Sequence, residues 1–175
     1  LQRRADDAPI RDPQHVRHAQ RELRAGTAAH RCQDPAHLAD APLLDDRDVA
    51  GSVADDLIDA EEPCLKQMAR AFGECNASVL GVQNVEPDQT DKYGIVAADP
   101  VSERLSRVRR IVEKPKPEEA PSNLAVVGRY LLTPAVYARL ATIGRGAGGE
   151  IQLTDGIAAL MADEPVFAYA FEGKR

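Results

Sequence analysis

The stretch IVEKPKPEEAPSNLAVVGRYLLTP, residues 111 to 134, holds two apolar runs separated by a charged turn rich in proline. Pro115 and Pro117 lack the N–H that a sheet ladder requires, so pairing has to stop at the end of the first run. Residues 107 to 113 therefore read as a strand ending at Glu113, and residues 123 to 132 as a second, longer strand. Thr133-Pro134 then opens a helix through Leu140, with proline in the first position, where its missing donor is not needed.

The same alternation extends outward in both directions. Residues 77 to 83 form a valine-rich run suited to a buried strand, and residues 93 to 98 and 166 to 171 read as further strands. Residues 61 to 72 begin with two carboxylates and a proline, carry Leu65, Met68, Ala69 and Phe72 at helical spacing, and meet a stop at Gly73. Residues 150 to 161 place Ile151, Leu153, Ile157, Ala158 and Leu160 on one helical face. Glu86-Pro87-Asp88 and Asp99-Pro100 punctuate the strands as turns. Strands alternating with helices predict an α/β fold with a mainly parallel mixed sheet.

Composition divides the 175 residues near position 52. Residues 1 to 52 hold all four histidines, eight arginines, ten alanines, no lysine and no aromatic residue. Residues 53 to 175 hold all seven aromatics, five lysines and no histidine. Large aliphatic residues are too sparse in the first part to offset chain entropy, so it predicts no packed fold. Two readings of residues 1 to 52 stand: a solvated N-terminal arm, or the out-of-frame product of a GC-rich gene in a chain opening on Leu1.

The formal charge of −6 argues against a nucleic-acid binder, and no apolar run is long enough to span a bilayer. Cys32, Cys64 and Cys75 have unrelated spacings that suggest neither a disulfide framework nor a zinc site, and no leader pattern opens the chain. The expectation is a cytoplasmic protein.

Four motifs could carry chemistry. At Glu113-Lys114 the halted strand leaves two side chains free to face a ligand, the lysine as a point charge for phosphate and the glutamate as acceptor from hydroxyls. The plain alternative is a solvated charged turn. Asp55-Asp56 follows what would be the end of a central strand, where one carboxylate plus substrate phosphates can hold magnesium, or else it caps the next helix. Gly94 and Gly128 interrupt strand patterns, as glycines do at bulges or where a backbone is left bare for a ligand. Residues 144 to 149, GRGAGG, match GxGxxG in letters but follow a helix instead of a strand, which excludes a nicotinamide or flavin site.

Taken in order, ADDLIDAEEPCLKQM (54 to 68), KYGIV (92 to 96), the quoted 111 to 134 stretch, GAGGEIQLTDGIAAL (146 to 160) and AYAFEGKR (168 to 175) resemble the bacterial UTP:glucose-1-phosphate uridylyltransferases. The resemblance runs over residues 54 to 175. It implies a nucleotide-diphospho-sugar transferase fold, a Rossmann-like sandwich, here incomplete, with residues 53 to 175 as a partial nucleotidyltransferase domain. It also implies transfer of uridylyl from UTP to glucose 1-phosphate, magnesium as cofactor, and a homo-oligomer in the intact family member.

Residue by residue, the resemblance gives Asp55 to the metal, Gly94 and Glu113 to the sugar, Lys114 to the sugar phosphate as the catalytic cation, and Val127 with Gly128 to the strand lining the glucose. Arg145 and Glu150 are less clearly matched. The family's GxGTR-type loop for the UTP phosphates has no counterpart in residues 1 to 52. That departure implies a chain inactive by itself, and it leaves open a non-catalytic paralogue that binds sugar phosphate or a full-length subunit.

Overall fold

The computed structural model describes residues 58 to 146 and 149 to 174. Residues 1 to 52 and the Asp55-Asp56 motif lie outside these, as do Ala147 and Gly148 of the glycine-rich loop.

Helix α1 (Cys64–Cys75) buries Cys64, Gln67, Met68, Ala71, Phe72 and Cys75, a stripe at steps of three and four residues. This face is turned from the expected one, and Leu65 is exposed. The helix also runs past Gly73. Asn76 ends it instead, adopting the left-handed conformation (φ 47°, ψ 46°) and donating its N–H to Phe72 O at 2.7 Å. Asparagine tolerates that conformation, and stopping there lets Cys75 complete the apolar stripe. Cys64 is a free, buried thiol.

Five strands follow: β1 (Ser78–Asn84), β2 (Gly94–Pro100), β3 (Leu105–Glu113), β4 (Leu124–Leu131) and β5 (Val166–Ala170). A 3-10 helix at Pro87–Lys92 replaces the simple turn expected after β1, with Thr90 Oγ1 donating to Pro87 O at 3.0 Å. Helix α2 (Ala135–Leu140) follows β4, and helix α3 (Leu153–Leu160) precedes β5. Ile151 falls before α3 and is exposed, outside the face expected for it.

The strands close into a ring in the order β1, β4, β2, β3, β5. The α/β class and the mixed sheet hold, but a parallel majority does not among the described residues. Only β1 and β5 run parallel; β1–β4, β2–β3, β2–β4 and β3–β5 are antiparallel. The connections explain this. A parallel neighbour needs a long crossover, whereas β2 and β3 are joined by a tight turn in which Val101 N and Ser102 N both donate to Leu105 O.

Helices cover both faces, giving two cores. Met68, Phe72, Val79, Val127, Leu131 and Phe167 pack on the α1 side. Leu80, Val96, Val126, Ile157 and Leu160 pack with their neighbours on the α3 side. Gly81 allows the close approach of α1, since a side chain there would start 2.9 Å from Arg129 Cβ and 3.0 Å from Met68 Sδ.

Two bulges set which residues face which core. In β3, Ala97 pairs with Arg110 and Ala98 with Val108, leaving Arg109 as one extra residue. One extra residue reverses the pleat, so Val108 and Ile111, three apart, enter the same core. In β4, Gly81 pairs with Arg129 and Val82 with Val126, which leaves Val127 and Gly128 as two extra residues. Two extra residues preserve the pleat, and the faces before and after the bulge agree.

Candidate functional site

Gly94 is the point on which the site is built. As the first residue of β2 it pairs with Glu113, the last residue of β3, and on its other edge with Val126 of β4. The absence of a side chain leaves a gap bounded by Thr154 Cγ2 at 3.1 Å, Glu113 Oε2 at 3.5 Å and Ile111 Cδ1 at 3.9 Å from where a Cβ would stand. Glu113 reaches this side because of the extra residue at Arg109. Without that bulge its carboxylate would project to the α1 side.

Lys114 follows directly and takes the left-handed conformation, φ 43°. Its N–H donates to Tyr93 O at 2.9 Å, so the ladder ends one step beyond Glu113 and the chain then turns away into Pro115. The ammonium stands 3.9 Å from Glu113 Oε1 and is mostly exposed. A cation and a carboxylate thus share one strand end, each with bonding capacity left over.

Val127 and Gly128 occupy the bulge beside Val126. Gly128 has φ 66°, which explains the glycine, and neither residue has a partner in the β1 or β2 register. The Val127 side chain is buried in the α1-side core, away from Glu113. What this pair can offer a ligand is therefore backbone.

Arg145 and Glu150 are not gathered with these residues. Arg145 Nη1 donates to Gly149 O at 2.8 Å and Gly146 N to Glu150 O at 2.8 Å, so this loop closes on itself. Thr154 was not singled out by sequence, although it sits at the gap. A polar residue three and six positions before Ile157 and Leu160, on the apolar face of the helix, is the signal that could have found it. Asp55 lies outside the described residues, and among those described no group of three metal-ligating side chains gathers.

A cleft of about 560 Å³ opens at the carboxyl ends of the parallel pair β1 and β5, lined by Val82, Gln83, Asn84, Ala170, Phe171, Gly173 and Lys174. None of these residues borders the Gly94 gap, and β4 stands between the two, with Val126 paired to Val82 on one edge and to Gly94 on the other. Gln83 Nε2 donates to Gly173 O at 3.1 Å and fixes one wall. Among the described residues no helix is long and apolar enough to cross a membrane.

Similar proteins were found by sequence and by structure. The chain is 44% identical over 142 residues to a UTP–glucose-1-phosphate uridylyltransferase of Pseudomonas aeruginosa, covering 80% of this chain and 51% of that protein. It is 48% identical over 135 residues to UTP–glucose-1-phosphate uridylyltransferase 2 of Staphylococcus saprophyticus, covering 76% and 46%. A crystal structure of UDP-glucose pyrophosphorylase complexed with UDP-glucose superposes with a TM-score of 0.65 at 36% identity, over 67% of this chain and 45% of that one. The chain thus spans about half the length of the relatives it matches. Residues 16 to 174 match the family model described as nucleotidyl transferase, and the chain belongs to that family of enzymes.

Proposed function

We propose that the described residues form the sugar-phosphate half of a UTP:glucose-1-phosphate uridylyltransferase. The observation that carries this reading is the register of Gly94 against Glu113 and Val126, which brings a carboxylate, a cation and a bare bulged backbone to one end of the sheet. A sugar phosphate carries hydroxyl donors at one end and an anion at the other. Glu113 accepts from sugar hydroxyls, Lys114 Nζ pairs with the phosphate, and the Val127-Gly128 peptides line the ring.

In the proposed reaction the phosphate oxygen of glucose 1-phosphate attacks the α-phosphorus of UTP and pyrophosphate leaves. That oxygen is already anionic at neutral pH, so no general base is needed, and positioning with charge neutralisation supplies the catalysis. Lys114 holds the nucleophile and offsets its charge. Magnesium at Asp55, a cytoplasmic setting and a homo-oligomer belong to the same proposal.

Titration of the chain with glucose 1-phosphate tests the reading. Saturable binding that weakens in Lys114→Ala and in Glu113→Gln is expected. An absence of saturable binding, or affinity indifferent to both substitutions, would overturn it.

A further inference from the structure

The outer face of the β2–β3 hairpin concentrates positive charge. Val108 and Ile111 both enter the α3-side core, so Arg109 and Arg110 between them both point to the other side, where Arg107 points as well. Helix α1 packs over β1 and β4, and Arg109 and Arg110 stay exposed. Arg109 Nε donates to Asp99 Oδ2 at 2.5 Å across the hairpin. Arg107 and Arg110 have no ion-pair partner among the described residues. Negative charge gathers at the open end of the same hairpin. The 3-10 helix at Pro87–Lys92 leads into β2, a second at Pro117–Glu119 follows β3, and the two pack together. With the flanking Glu86 they expose Asp88, Asp91, Glu118 and Glu119 beside Lys92 and Lys116, and none of these carboxylates is paired among the described residues. Counted back from Glu113, Arg110 and Arg107 stand roughly 10 and 17 Å along the strand from that acidic end. Each patch repels itself, a cost that a partner of opposite sign removes.

We infer that this hairpin docks a second copy of the chain across a two-fold axis, the arginines of each copy meeting the carboxylates of the other. A two-fold interface uses the same surface on both subunits, so it has to be complementary to itself. A patch of one sign alone fits a foreign molecule of the other sign. Two opposite patches displaced along one hairpin fit an inverted copy, because one contact brings the reverse contact with it. Ala97, paired with Arg110, keeps the middle of this surface low enough for close approach. The inference rests on the homo-oligomer of the reading above and gives it a surface, but it uses no sugar contact.

Sedimentation velocity on the full chain tests this, with wild type, Arg107→Glu/Arg110→Glu and Glu118→Lys/Glu119→Lys run singly, and with the two variants mixed in equal amounts. Wild type is expected to dimerise at micromolar concentration, its Kd rising at least about tenfold between about 50 mM and about 500 mM salt. Each variant alone should stay monomeric, since like charges then face each other, and the mixture should restore the dimer. Arg107→Ala/Arg110→Ala, which removes charge without reversing it, should weaken the dimer by an intermediate amount. A monomeric wild type, a dimer indifferent to salt, or alanine and charge-reversed variants that dimerise like wild type would each overturn the inference. So would a mixture that stays monomeric while both variants melt like wild type. Titration of the same samples with glucose 1-phosphate reports on the sugar-phosphate reading separately: binding by a monomer retains that reading alone, and a charge-paired dimer without binding retains the interface alone.

Discussion

Gln67 holds both backbone groups of Glu172. Its Nε2 donates to Glu172 O at 3.0 Å, and Glu172 N donates to its Oε1 at 2.9 Å. One buried amide in the apolar stripe of α1 thereby continues the sheet's bonding past the end of β5, and a further bond to Glu62 O at 2.8 Å ties in the start of the helix. Just beyond, Lys174 and Asp59 exchange two backbone bonds at 2.8 Å. Gln67→Ala strands at least two backbone groups, so a loss of about 2 to 4 kcal/mol is expected in urea unfolding. Lys66→Ala, which removes only an exposed pair with Glu62, should change stability by less than about 0.5 kcal/mol.

Lys114 combines a left-handed backbone with a proposed role in binding. Lys114→Gly removes the steric cost of φ 43° and should raise stability by about 1 kcal/mol, while glucose 1-phosphate affinity falls roughly ten- to a hundredfold. Lys114→Ala should lose affinity alike with no gain in stability. Paired unfolding and titration measurements separate the two effects, and equal stability in the two variants would contradict the backbone argument.

Gly128→Ala places a Cβ at φ 66° inside the β4 bulge. A cost of about 1 to 2 kcal/mol is expected, with weaker glucose 1-phosphate binding as the bulge shifts. Amide exchange on Val127 and Gly128 would report the rearrangement directly.

Burial pushes the Cys64 thiol up from 9.0 to about 11, against a smaller opposing pull from Arg129. The folded state therefore keeps a proton that the unfolded chain loses first. Stability should be flat below about pH 9 and fall between about 9 and 11, by on the order of 2 kcal/mol. Tyr169 is raised as well, mainly by burial, and acts in the same alkaline direction. Cys64→Val should remove the thiol's share of the slope, which pH-dependent unfolding measures.

The 175-residue chain is expected to release no pyrophosphate from UTP and glucose 1-phosphate, because its sequence offers no GxGTR-type loop to hold the UTP phosphates. A coupled pyrophosphate assay checks this. Turnover within about tenfold of a relative carrying that loop would show that residues 1 to 52 build a nucleotide site.

Element positions were legible from turn residues and apolar periodicity, and every described strand lies within two residues of its expected place. Strand partners were not, since alternation says which face a residue takes but not which strand lies beside it. The β3 bulge was hidden because Arg109 and Arg110 look like any two exposed residues, yet the extra residue decides the side on which Glu113 emerges. Pro115 and Pro117 made the strand end at Glu113-Lys114 legible. The left-handed Lys114 was not, since lysine gives no hint of positive φ. Thr154 was overlooked because its place over the Gly94 gap comes from the packing of α3 on the sheet, which only three-dimensional placement reveals.

The ring of strands has a consequence for the order of assembly. Among the described residues β5 is the single strand joining β1 to β3, and it pairs with β1 across some eighty intervening residues. Until residues 166 to 170 leave the ribosome, β1 and β3 present open edges that another nascent chain could join. This contact order implies slow closure, with the earlier hairpin β2–β3 formed first and β5 acting as the latch. Chaperone demand during synthesis should therefore concentrate in the interval between the emergence of β4 and that of β5.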